Sequence, residues 1–275
     1  MKRLLLSAGL LVVCVLSNTT LAHPCRTRLL ELGAPSRLVF GPGSLGSVPE
    51  TCPSTETGVQ AFGSALVAVQ DFYGYVNGGL GANLRYAFSD RDWMSLQFVP
   101  FEYRFSANAT IEASKSGMGA GALGYHRQFT LSRTLLISPY VRVLIPTESV
   151  YENSVRYGFD HGISLAALLT KRLVLTGGFS YPSYFVVNGT RFFAYSIPNV
   201  SVDSVLMINP WLSVLLGAGA RFRTGQQTAF ESFDPRFAIR SCLLGGLRME
   251  LGAATPLGGA DRTDVVGVLD VAWVF

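Results

Sequence analysis

The stretch Asp264-Val-Val-Gly-Val-Leu-Asp-Val-Ala-Trp-Val-Phe275 decides the fold. Successive side chains of a strand point to opposite faces, so its residues divide with period two. Phe275, Trp273, Val271, Leu269, Gly267 and Val265 share one face. Val274, Ala272, Asp270, Val268, Val266 and Asp264 share the other. One face is large and apolar. The other is small and carries two carboxylates. A strand of that kind is amphipathic, with one face suited to an apolar environment and the other to a polar one.

Phe275, with Trp273 two residues before it and Val271 and Leu269 at the next alternate positions, resembles the closing strand and assembly signal of bacterial outer-membrane β-barrels. The resemblance implies outer-membrane lipid and the barrel assembly machinery as partners. Gly267 is the weak member of the pattern. The alternative is a buried strand of a secreted β-sandwich.

Composition points the same way. Apolar residues make up 49% of the 275 residues, charged residues 15%, and mean hydropathy is +0.33. Soluble domains carry about 25% charged residues. Beyond the N-terminus no apolar run reaches the roughly 20 residues of a membrane helix. The nearest, 205–220, is interrupted by Asn209-Pro210. High apolarity without a spanning helix is what a transmembrane β-barrel produces, because its apolar residues are spread over many strands.

Met1-Lys-Arg3 followed by apolar 4–16 and Thr20-Leu-Ala22 reads as a cleaved signal peptide over 1–22, so the mature chain starts at His23. Val13 before Cys14 is too bulky for a lipoprotein signal. Removing Lys2 and Arg3 takes two positive charges from the formal +4 and leaves +2. That excess is too small to argue for nucleic acid. Residues 23–60 are rich in Pro, Gly, Ser and Thr, and read as an irregular periplasmic extension or a plug. Cys25 and Cys52 lie within this segment, and a disulfide between them would stabilise by roughly 3 kcal/mol in an oxidising compartment. The cysteine spacings and the scattered His23, His126 and His161 match no metal site.

From 61 to 275 the alternation predicts twelve antiparallel strands, within a range of 10–14: 61–73, 79–89, 93–105, 117–129, 134–145, 157–169, 173–182, 192–208, 211–223, 236–244, 247–257 and 264–275. Short turns such as Ser89-Asp-Arg-Asp92 and Thr170-Lys-Arg172 exchange with long loops at 106–116, 146–156, 183–191 and 224–235. That rhythm, with both ends on one side, predicts an up-and-down barrel in the outer membrane. The apolar face of the third strand changes from Met94, Leu96, Phe98 to Phe101, Tyr103, Phe105, which predicts a bulge near Val99-Pro100. Pro139, Pro182 and Pro198 each remove a ladder donor and predict further irregularities.

The phrases Tyr86-Ala-Phe-Ser-Asp-Arg91, Ser138-Pro-Tyr-Val-Arg142 with Ile145-Pro-Thr147, and Leu169-Thr-Lys-Arg-Leu-Val-Leu175 resemble the strand-turn-strand repeats of transporter-like barrels. The nearest family is the outer-membrane proteins of the phenol meta-cleavage pathway. The resemblance covers 61–275 and implies passage of small, often hydrophobic, compounds.

Strand parity sends Arg85, Glu102, Arg104, Tyr140, Arg142, Asp160, Asp203, Arg221, Arg240, Arg248, Glu250 and Asp270 toward the interior. The near balance of signs favours salt bridging over a one-sign filter. Gly119-Ala-Gly-Ala-Leu-Gly124 fits the dinucleotide fingerprint but opens no helix, and reads as close packing inside a barrel. His161 and Ser164 lie three apart and so on opposite faces, against a hydrolase dyad, and the two barrel-region histidines His126 and His161 read as exposed or interfacial. The expectation is therefore a passive channel for small solutes, with no cofactor and no enzymatic role. A non-conducting barrel with binding loops is the alternative, and a barrel-embedded hydrolase a further one.

Overall fold

The structure is a computed structural model. It describes residues 58–274 except 71–72, 90, 108–111, 133, 148–153, 210, 226–228, 243–246 and 259–264. The signal peptide, residues 23–57 with Cys25 and Cys52, and Phe275 lie outside the described residues.

The described residues form fifteen strands: β1 Gly58–Gln70, β2 Tyr73–Ala87, β3 Asp92–Ala107, β4 Glu112–Gly117, β5 Gly121–Arg127, β6 Phe129–Thr130, β7 Leu135–Ile145, β8 Ser154–Leu168, β9 Leu173–Asn188, β10 Arg191–Ser196, β11 Asn199–Asn209, β12 Leu212–Arg223, β13 Ala229–Cys242, β14 Leu247–Ala254 and β15 Val265–Val274. All pairings are antiparallel. β4, β5 and β6 are successive pieces of one stave, as are β10 and β11. That leaves twelve staves, each bonded to its sequence neighbours. The ring closes where β15 pairs with β1, from Gln60 opposite Val274 to Val69 opposite Val265. A closed antiparallel ring leaves no ladder edge within the wall, which is the condition for crossing a bilayer with strands.

The outer face is apolar. Leu80, Leu84, Leu96, Phe98, Val141, Leu165, Val202, Leu216, Leu251 and Leu269 are exposed there, and the residues that flank them in each strand are buried or half-buried. Aromatic side chains gather toward the two rims, Tyr86, Phe88, Tyr125 and Phe129 near the short turns and Phe159, Phe222, Phe230 and Phe233 toward the other end. This is the girdled exterior of a transmembrane barrel.

Irregularities fall at the prolines. Val99 and Pro100 together oppose Gly81, since Leu80 pairs with Phe101 and Ala82 with Phe98. That bulge switches the face, as the sequence predicts. Pro139 stands opposite the gap between β5 and β6, where Gln128 N donates to Arg91 O instead of to β7. Pro182 stands opposite the break at Ile197-Pro198, and Ile197 N donates to its carbonyl at 2.9 Å.

The expected long loops need correction. β3 runs to Ala107 and β4 resumes at Glu112, so 106–116 is mostly a hairpin rather than a loop. β9 continues to Asn188 and β10 starts at Arg191, which turns 183–191 into the tip of a second hairpin. β13 begins at Ala229, well inside the expected loop 224–235, and β8 begins at Ser154. β1 starts at Gly58, three residues before the expected boundary. β1, β2, β3, β8, β9 and β13, of 13 to 16 residues, exceed the roughly 9–11 needed to span a bilayer. Beyond the bilayer the outer residues no longer need to be apolar, as in exposed Ser114 and Ser116 of β4, so the alternation fades while the backbone ladder continues.

Candidate functional site

The interior of the barrel is the candidate site. Among the described residues, Arg104, Arg142, Arg221, Arg236 and Arg240 are held there by carboxylates. Arg236 on β13 reaches over β12 to Asp203 on β11, donating from Nε to Oδ1 at 2.5 Å and from Nη2 to Oδ2 at 2.7 Å. Arg240 donates from Nε and Nη2 to Glu250 Oε2 at 2.8 and 2.5 Å. Arg221 bonds both oxygens of Asp234 at 2.8 and 3.2 Å. Arg142 bonds Asp160, which also accepts from Ser180 Oγ at 2.9 Å. Glu102 accepts from Arg104 Nε at 2.6 Å and Asn77 Nδ2 at 3.2 Å. Asp160 and Asp203 are fully buried and Arg240 is 1% exposed. A buried charge of this kind is tolerated only when paired and hydrogen-bonded.

Between the ion pairs lie two apolar patches. One is Val205, Leu215, Ala238, Val266 and Val268 with Tyr75 against it. The other is Ala120, Ala122, Leu144 and Tyr184, with Tyr195 and Ile197. Tyr184 and Tyr195 stack at 5.2 Å. The lining is thus mixed, charged pairs beside aliphatic and aromatic surface.

His126 corrects the expectation of an exposed or interfacial ring. It is 4% exposed and points inward, stacked on Trp93 at 5.1 Å and on Tyr140 at 5.8 Å. Its Nε2 lies 3.2 Å from Ser95 Oγ on β3. Register explains why this contact was hidden in the sequence: Trp93 stands directly opposite His126, and Ser95 one interior position along. His161 lies on the outer face among Phe159 and Tyr181, opposite in direction to buried Ser164. The glycines of the fingerprint-like stretch are filled space. A Cβ on Gly119 would lie 2.5 Å from Glu102 Oε2, and one on Gly124 2.8 Å from Ser95 Oγ.

Of the residues that parity sends inward, Arg85, Glu102, Tyr140, Asp160, Asp203, Arg240, Glu250 and Asp270 are buried, and Arg104, Arg142 and Arg221 are half-buried. The side chain of Arg248 is outside the described residues, as are those of Trp273 and Cys242; Val271 is half-buried and Leu269 exposed. Sequence reading missed Asp234 and Glu231 because they fell in an expected loop. It also missed Arg236, which shares the parity of Arg240 and was legible on that ground. Among the described residues no cluster of three or more His, Cys, Asp or Glu is placed to hold a metal ion.

No family model and no curated protein matches the chain. Solved structures do. The barrel is similar to an outer-membrane channel from Pseudomonas putida F1, at a TM-score of 0.61 and 13% identity, covering 85% of this chain and 99% of that one. It is also similar to the β domain of the Bordetella autotransporter Brka, at a TM-score of 0.52 and 9% identity, covering 80% and 99%. At these identities the likeness is one of fold.

Proposed function

We propose that this protein is a passive channel of the bacterial outer membrane that passes small solutes. The observation that carries the reading is the closed ring of twelve staves, apolar outside and charged inside, sealed by the pairing of β15 with β1. A barrel of that size has room for a narrow bore. Arg85, Glu102, Arg104, Tyr140, Arg142, Asp203, Arg221, Arg240, Glu250 and Asp270 line the path, with the two apolar patches beside them. That mixed lining suits small amphipathic compounds, in keeping with the resemblance to the phenol meta-cleavage outer-membrane proteins. The likeness to an outer-membrane channel in fold supports the location.

Export follows cleavage before His23, and insertion uses the barrel assembly machinery through Leu269, Val271, Trp273 and Phe275. The protein is not an enzyme in this reading. The Ser95–His126 contact is enclosed between Trp93 and Tyr140, a bracing position rather than one open to substrate.

One observation favours a second reading, a sealed barrel that acts through its external hairpins. Ser138, Ser180, Ser213 and Ser232 on the inner wall have no exposed surface, so the bore beside them is filled. Planar-bilayer recording on the full-length refolded protein separates the two. Discrete conductance steps support the channel. A folded barrel that gives none, and whose vesicles do not swell in small solutes, leaves only the sealed barrel.

A further inference from the structure

Asp270 departs from the pattern of the other interior carboxylates. Glu102, Asp160, Asp203, Asp234 and Glu250 each hold an arginine at salt-bridge distance. Asp270 is only 8% exposed, yet it makes no ion pair and no hydrogen bond among the described residues. Its neighbours across the ladder account for this. It stands opposite Glu250 on β14 and Ser64 on β1. The arginine on that rung, Arg240, lies on the far side of Glu250 and places two donors on one oxygen of that residue. Along β15 the next interior residues are Val268 and Val266, which belong to the apolar patch.

An ionised carboxylate without a partner is stable only where water reaches it. Water that reaches the inner wall of a membrane barrel marks the route open to small ions. We propose that Asp270 borders the aqueous path and biases the channel toward small cations, inorganic or ammonium-bearing, as they pass the wall formed by β14, β15 and β1. The paired carboxylates contribute little to such a bias, because the arginine beside each cancels its field at short range. Asp270 acts as a net charge over a Debye length, about 10 Å at 0.1 M salt. This inference rests on the channel reading and adds to it the sign of the favoured solute.

The test is the reversal potential in a potassium chloride gradient, recorded in planar bilayers with the full-length protein and with Asp270→Asn. The amide should lower the potassium-to-chloride permeability ratio by about two- to fivefold at 0.1 M salt, the effect of one partly screened charge near the path. The difference between the two proteins should shrink at 1 M salt, while the step size stays close to wild type. Asp270→Glu should keep the preference. An unchanged ratio for Asp270→Asn at 0.1 M overturns the inference and leaves the channel standing. Wild-type barrels with no conductance steps overturn the channel reading and this inference with it. Asp270→Asn that fails to fold, judged by the loss of faster migration in unboiled gels, also overturns it, because a carboxylate without a partner holds no other residue in place.

Discussion

Arg236 and Asp203 form a two-toothed ion pair across an intervening strand, and Gly217 is what lets them meet. The three residues share one rung, Asp203 on β11, Gly217 on β12 and Arg236 on β13. A Cβ on Gly217 would lie 1.9 Å from Asp203 Oδ1 and 2.7 Å from the Val202 carbonyl. Gly217→Ala should therefore displace the carboxylate and break the pair. Leaving buried charges unmatched costs about 3–5 kcal/mol. The variant should unfold at clearly lower urea concentration in vesicles. An unchanged midpoint would mean that the pair does not depend on the glycine.

The same pair gives a second test, because a buried ion pair is a weak source of net stability. Asp203→Asn alone should be destabilising by about 3 kcal/mol or more, since Arg236 keeps its charge and loses its partner. Asp203→Leu combined with Arg236→Met should recover most of that loss, because neither desolvated charge remains. A double variant as unstable as the single one would argue that the pair is worth more than its desolvation cost. Urea titration of the three proteins in parallel decides it.

The outer face makes a sharper demand. Leu216 on β12 is 60% exposed and points to lipid. Leu216→Arg should cost about 2–4 kcal/mol if that position lies near the bilayer midplane. The unboiled protein should lose its fast-migrating form at a lower temperature than wild type. Leu216→Phe keeps the face apolar and should behave as wild type. Equal behaviour of the Arg and Phe variants would place β12 outside the bilayer.

Ser95 and His126 test the absence of chemistry. Ser95→Ala removes one partly buried hydrogen bond, worth about 1 kcal/mol. Hydrolysis of a small activated ester by the folded barrel should be no faster than buffer, with or without the substitution. A rate above buffer that disappears in both Ser95→Ala and His126→Ala would instead make the pair catalytic.

The number of staves and the faces of the regularly alternating segments were legible in the sequence, because a strand's period of two is local and lipid enforces it residue by residue. Leu269 and Val265 against Val268 and Asp270 illustrate this. The bulge at Val99-Pro100 was legible for the same reason, as a break in the alternation. The ends of the hairpins were not, because outside the bilayer the ladder is held by backbone bonds that carry no side-chain signature. Nor were the partners. Arg236 meets Asp203 and His126 meets Ser95 through the register of neighbouring staves and the lack of a side chain at Gly217 and Gly124. Register is a property of the closed ring, so only the tertiary structure decided which charges were matched and left Asp270 without an arginine partner among the described residues.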